Sequence, residues 1–288
     1  MEDPTGLVQP DVAGEVEALR IYETIIHQHP KWTSAEVDEA LVKEIYTERR
    51  RKRLMETFQW VKGAMIRAID KEPIAFTLKR KLKDRIRSTE LQLPPPASIY
   101  ASEPELFTKN DVYYGSFPNG VRAVRVGGAY VLTAKSLFNK IFTFAHELAH
   151  AIDPCDLKSL GVSLAPYGKL LQCFHRMGWS FQDKMKSVDS CLGESLVSEV
   201  FADWMATQIT ADVIRQYQSK FKKPEDVLYS VINSVRDLCH QESWLEQDLR
   251  AHPSPQKRIS SIFGYHPGIR ALLGCQPVSY CAFQGSSP

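Results

Sequence analysis

The sequence predicts an α+β protein that is mainly helical. Three observations carry that reading: a helical pattern from residue 11 to 92, a change of character to Tyr, Val, Gly and Asn between 98 and 134, and a return to helical pattern from about Leu137. At 288 residues the chain is long enough for one large domain or two packed lobes. Its 43% hydrophobic and 24% charged residues are those of an ordinary globular protein, and a net charge of +2 does not call for a nucleic acid or an acidic membrane as partner.

The first ten or so residues read as a lead-in. Thr33-Ser34-Ala35-Glu36 has the form of a capping box, and Val37, Leu41 and Ile45 follow it at helical spacing. The run Arg49-Arg50-Arg51-Lys52-Arg53 lies in a helical pattern beside acidic residues and reads as a solvated face. Pro94-Pro95-Pro96 marks the expected boundary between an N-terminal helical region, 1–96, and a second domain, 97–288. Within that domain the sheet and the central motif occupy about 97–155, and a helical lobe about 156–288. Residues 121–133, VRAVRVGGAYVLT, are the best strand region, with a bend or bulge at Gly127-Gly128. An exposed edge there would accept an extended peptide.

No apolar run approaches the roughly 18 residues that span a bilayer, so no membrane-spanning segment is expected. The N-terminus lacks the basic and apolar regions of a signal peptide. The six cysteines all fall in the second half and form no CxxC pair. They suit up to three disulfides in an oxidising compartment; six buried thiols in a cytosolic protein are the alternative. The expectation is an extracytoplasmic protein, secreted or periplasmic, whose signal is absent from this sequence.

Chemistry concentrates at residues 143–155, TFAHELAHAIDPC. A four-residue step on an α-helix turns about 400°, so His146 and His150 share a face, about 6 Å apart along the axis. Both imidazoles can then reach one tetrahedral ion, while Glu147 is placed to act on water as a general base. The alternative is a helix with two core histidines. A catalytic zinc needs a third protein ligand and an open position. Asp156, six residues beyond His150, would need a sharp turn with glycine at 153, where this chain has Asp153. A separate helix, GESLVSEVFADWMA at 193–206, offers Glu199 as ligand and Asp203, on the same face, as hydrogen-bond acceptor for a ligating histidine. Glu194 is the rival, about 140° from Glu199 around the helix.

HELAHAID, SEVFAD and HPSPQKRI (residues 252–259) together resemble three ordered blocks of the gluzincin metallopeptidases, and most closely the neprilysin family. The resemblance covers roughly residues 110–281, with an N-terminal helical portion shorter than that family's. It implies a thermolysin-like zincin catalytic domain: a small β-sheet beside the active-site helix, and a helical second lobe. It implies one Zn2+ per chain, held by His146, His150 and Glu199, with Asp203 and Asp153 behind them and Glu147 as general base. It also implies that His252 stabilises an oxyanion and that Arg258 binds a substrate carbonyl. Asn110 and Tyr113 match the family's substrate-binding segment, with Asp111 standing where the family has alanine. Cys275 and Cys281 are similar to its cysteine-bearing tail. His27, His29, His175, His240 and His266 show no ligand spacing.

The function implied is zinc-dependent hydrolysis of peptide bonds, by an endopeptidase acting on peptides or unfolded segments. The expected partner is therefore a peptide or protein substrate. The competing readings are a catalytically inactive zincin-like binding or scaffold protein, and a non-enzyme with a structural zinc closed by Asp153, Asp156 or Cys155.

Overall fold

The computed structural model describes residues 10–94, 107, 109–116, 120–133, 135–163, 165–178, 196–221, 223, 225–236, 238 and 254–282. In chain order, the helices α1 (Pro10–Gln28), α2 (Ser34–Ile45), α3 (Glu48–Lys71) and α4 (Phe76–Ser88) lead into strands β1 (Glu90–Gln92), β2 (Val112–Ser116) and β3 (Arg122–Val126). Helices α5 (Gly128–Leu132), α6 (Leu137–Ala149), α7 (Pro154–Ser159), α8 (Gly168–Arg176), α9 (Leu196–Tyr217), α10 (Glu225–Val235) and α11 (Pro267–Leu272) follow. The class is α+β and mainly helical, with a small three-stranded sheet.

Contacts divide the chain into two compact units: Met1–Gln59 with Thr89–Ser136, and Trp60–Ser88 with Leu137–Pro288. This division does not coincide with a boundary at 96/97, and pairings within each unit explain why. Strand β1 is hydrogen-bonded to β3, which keeps residues after 88 in the first unit. In the second unit, the Trp60 and Tyr217 rings lie 4.9 Å apart and Gln208 donates to Glu72 at 3.2 Å, which ties the end of α3 to α9.

In the first unit the capping box forms as read: Thr33 N–H donates to Glu36 at 2.7 Å, and Glu36 N–H donates to Thr33 Oγ1. The face Val37, Leu41 and Ile45 is buried. The sheet order is β1-β3-β2, with β1 parallel and β2 antiparallel to β3. Strand β3 is therefore central rather than an exposed edge, and Ala123 to Val126 form a continuous buried run, as expected of a strand covered on both faces. Two expectations are corrected here. Residues 90–92 leave the helical pattern and pair as a strand. The strand region expected to reach Thr133 stops at Val126, and the following residues form α5 instead of crossing a bulge. Close packing explains the glycine at the switch, since a Cβ on Gly128 would lie 2.2 Å from the Phe107 carbonyl oxygen. Helix α1 lies as closely on α5, where a Cβ on Gly14 would lie 2.5 Å from the Ala129 carbonyl oxygen.

In the second unit, Lys83 on α4 pairs with Asp70 on α3 at 2.5 Å, and Lys62 donates to the Arg87 carbonyl at 2.7 Å. Helix α4 buries Leu78, Leu82 and Ile86 along one face. Helix α6 packs along α9, and α10 packs against α6. Helix α9 buries Val200, Phe201, Ala202, Trp204, Met205, Ala206, Ile209 and Val213, which is apolar surface on nearly every side and marks a central helix. No helix among the described residues is long and apolar enough to cross a membrane.

The C-terminal strap closes on that helix. Trp204 Nε1 donates to the Cys281 carbonyl at 2.9 Å, and Cys281 is disulfide-bonded to Cys173 on α8. Cys155 is also disulfide-bonded, whereas Cys275 is an exposed free thiol, so three disulfides do not form. His266 serves as a helix cap, its Nδ1 accepting from Gly268 N–H at 3.1 Å. The 173–281 link closes a long loop, so replacing both cysteines by serine should cost about 2–4 kcal/mol, measured as a lower urea midpoint under oxidising conditions. An unchanged midpoint would show that the strap needs no cross-link.

Candidate metal centre

The centre is assembled from two helices and the turn after one of them. His146 lies near the end of α6, and the backbone then tightens into a 3-10 turn, His150–Ile152, before Asp153 caps α7. The turn uses no left-handed residue, so the absence of glycine at 153 is accommodated by tightening rather than reversal. Glu199 enters from the first turn of α9.

The Nε2 atoms of His146 and His150 are 3.3 Å apart. Glu199 Oε2 is 3.1 Å from His146 Nε2, and Glu199 Oε1 is 3.5 Å from His150 Nε2. Donors held about 2.0–2.1 Å from a tetrahedral ion are separated by about 3.3–3.4 Å, so the spacing of the two Nε2 atoms matches such an ion and the two Glu199 oxygens, each facing one ring, lie close to that distance. Two nitrogen lone pairs facing each other at this distance repel unless a cation, a proton or a metal, lies between them. These are the described His, Cys, Asp and Glu residues that converge in this way. Two imidazoles and one carboxylate form a donor set suited to zinc.

Behind His146 lies a buried charge cluster. Its Nδ1 is 2.9 Å from Asp203 Oδ1, and since an ionised carboxylate only accepts, Nδ1 is the donor and Nε2 is the nitrogen that faces His150 and Glu199. Asp203 is 1% exposed and also accepts from Arg258, through Nε to Oδ2 at 2.7 Å and Nη2 to Oδ1 at 2.8 Å. Arg258 opens a π-helix, Arg258–Phe263, and is itself 6% exposed. Burial alone would push the Asp203 carboxyl up; the Arg258 charge and the His146 hydrogen bond outweigh it and hold it at about 2. Burial pulls the His146 imidazole down, but the hydrogen bonds and charges of Asp203 and Glu199 raise it to about 10. His150 is shifted upward in the same sense, burial being outweighed by Asp153 and the Glu199 charge. Glu147 is half-buried beside them, close enough for its charge to act on both His150 and Arg258.

Behind His150 the arrangement differs. Asp153 Oδ2 is 3.4 Å from His150 Nδ1, while Ser198 Oγ is 3.0 Å from that nitrogen and donates to Asp153 Oδ2 at 2.5 Å. The other Asp153 oxygen accepts from the backbone of Cys155 and Asp156. Sequence reasoning does not reach Ser198, whose only signal is its place directly before Glu199.

Other expected site residues are placed as follows. Arg258 contacts Asp203 with two of its three nitrogens, which gives it a supporting position behind the histidine. Asp156 is paired with Arg85, which also donates to the Ala151 carbonyl, and is not among the converging donors. Cys155, being disulfide-bonded, has no thiolate to offer a metal. Asn110 and Tyr113 belong to the first unit, just before and within β2, where Arg125 donates to the Tyr113 hydroxyl at 3.5 Å. His252 and Glu194 lie outside the described residues.

The depressed Asp203 carboxyl makes a signed prediction for the metal-free protein. Its folded value lies below the unfolded value near 3.9, so its stabilisation is fully present above about pH 4 and is lost as pH falls towards 2. Asp203→Asn should lower stability at neutral pH and flatten the acid limb of a stability–pH curve between about pH 4 and 2. An acid limb as steep as that of the unsubstituted protein would contradict this assignment. No family model, curated protein or solved structure matches this chain.

Proposed function

We propose that this chain is a zinc-dependent metallopeptidase of the gluzincin type, similar to the neprilysin family and built on a thermolysin-like zincin catalytic domain. The observation that carries the proposal is the convergence of His146 Nε2, His150 Nε2 and Glu199 at separations of 3.1–3.5 Å, with Glu147 adjacent on the same helix. Zinc, when bound, supplies Lewis-acid polarisation of a carbonyl and makes a water molecule more acidic.

The chain's own groups account for the remaining chemistry. Glu147 accepts the proton of the attacking water and delivers it to the departing amine. Asp203 fixes the tautomer of His146, and Arg258 keeps that carboxylate charged. By resemblance, His252 stabilises the oxyanion and Arg258 contributes to substrate binding. The substrate class is a peptide or an unfolded segment of protein, cut internally. The disulfides at Cys155 and Cys173–Cys281 favour an extracytoplasmic, secreted or periplasmic, setting. Among the described residues a closed structural zinc site is disfavoured, because the nearby groups that would supply a fourth ligand are engaged: Cys155 in a disulfide, Asp153 as cap and hydrogen-bond acceptor, and Asp156 with Arg85.

Incubation with a mixed peptide library, together with metal analysis, tests the proposal. The purified protein should contain about one zinc and cut peptides, and a chelator should stop the cutting. Glu147→Gln should retain the metal while kcat falls about 10²–10⁴-fold. Undiminished cleavage by that variant would remove Glu147 from the mechanism. Metal binding with no cleavage of any peptide would favour the binding-protein alternative.

A further inference from the structure

We propose that Ser198 is a positioning residue of the metal centre, a hydroxyl relay that presents His150 to the ion. The inference rests on reading His146, His150 and Glu199 as metal ligands. It starts from an asymmetry. Asp203 contacts His146 directly at 2.9 Å, whereas Asp153 stands 3.4 Å from His150 with the Ser198 hydroxyl between them in effect, 3.0 Å from His150 Nδ1 and 2.5 Å from Asp153 Oδ2.

Counting protons determines the direction of the relay. The Asp153 carboxylate accepts only, and its Oδ1 already accepts two backbone N–H groups at 2.7 and 2.8 Å. The single hydroxyl proton of Ser198 therefore goes to Asp153 Oδ2. The serine oxygen, with its proton committed, can act only as acceptor towards His150, so Nδ1 of His150 carries a proton. Its Nε2 then keeps the lone pair, and this is the nitrogen that faces His146 Nε2 and Glu199. Ser198 is 7% exposed, which removes water as a ready substitute for the hydroxyl.

The placement also links two ligands through one helical turn. Ser198 and Glu199 are neighbours at the start of α9, so the segment that brings in the third ligand also orients the second. Asp153 is the N-cap of α7, so the relay ends on an oxygen anchored by backbone amides. His150 is thus held from two chain segments, α7 and α9, while the capping oxygen of Asp153, Oδ1, stays with the backbone amides.

The test compares zinc affinity, by competition with a chromophoric chelator, in the unsubstituted full chain, Ser198→Ala and Ser198→Thr, with thermal unfolding of each metal-free form recorded alongside. The relay predicts that Ser198→Ala weakens zinc binding about 10- to 100-fold while the metal-free melting temperature changes little. Ser198→Thr, which keeps a hydroxyl, should recover most of that loss. Zinc affinity within twofold of the unsubstituted chain in Ser198→Ala, or threonine binding as weakly as alanine, would overturn the relay and leave the metal centre standing. An unsubstituted chain that binds no zinc would overturn both.

Discussion

The buried contact of Asp203 with Arg258 and His146 is the constraint on which the rest of the centre depends. A carboxylate in the middle of an apolar helix is costly to bury, and removing one member of a buried ion pair typically costs about 3–5 kcal/mol because the other is left uncompensated. Asp203 is satisfied from one side by the bidentate guanidinium of Arg258 and from the other by the ring of His146. Each contact requires a particular element to be in place: α9 for the carboxylate, α6 for the histidine, and the π-helix Arg258–Phe263 for the arginine. Trp204, the next residue along α9, is held by the strap through Cys281, which fixes the helix where the carboxylate leaves it.

Around this anchor the two histidines are supported by different means. His146 leans on a charge, whereas His150 leans on a hydroxyl backed by a helix cap. The first arrangement holds an ionised carboxylate within the core. The second places its carboxylate at a helix N-terminus, where two backbone amides share the negative charge. Metal binding sets the same physical requirement at both rings, a proton on Nδ1 and a lone pair on Nε2, and each Nδ1 has an oxygen in place to accept from it.

Much of this centre was legible in the sequence because its spacing is helical. The four-residue steps His146 to His150 and Glu199 to Asp203 place each pair on one face without any tertiary information, and the Asp203–His146 contact forms between two such faces. The capping box at Thr33 and the start of α6 at Leu137 are equally local. What escaped was set by tertiary packing. The strand ending at Val126 gives way to a helix whose first residue, Gly128, packs against the Phe107 carbonyl, and strand β1 is defined by its pairing with β3. Ser198 carries no pattern of its own; its role depends on two groups more than forty residues away, Asp153 and His150, at separations of 45 and 48.

The central claim is that His146, His150 and Glu199 hold one metal ion, and anomalous diffraction at the zinc edge from crystals of the zinc-loaded protein tests it most directly. The account predicts a single strong peak about 2.0–2.1 Å from both Nε2 atoms and about 2.0–2.2 Å from a Glu199 oxygen. The contradicting result is a zinc-loaded crystal with no peak between these three side chains, or with its peak at other residues.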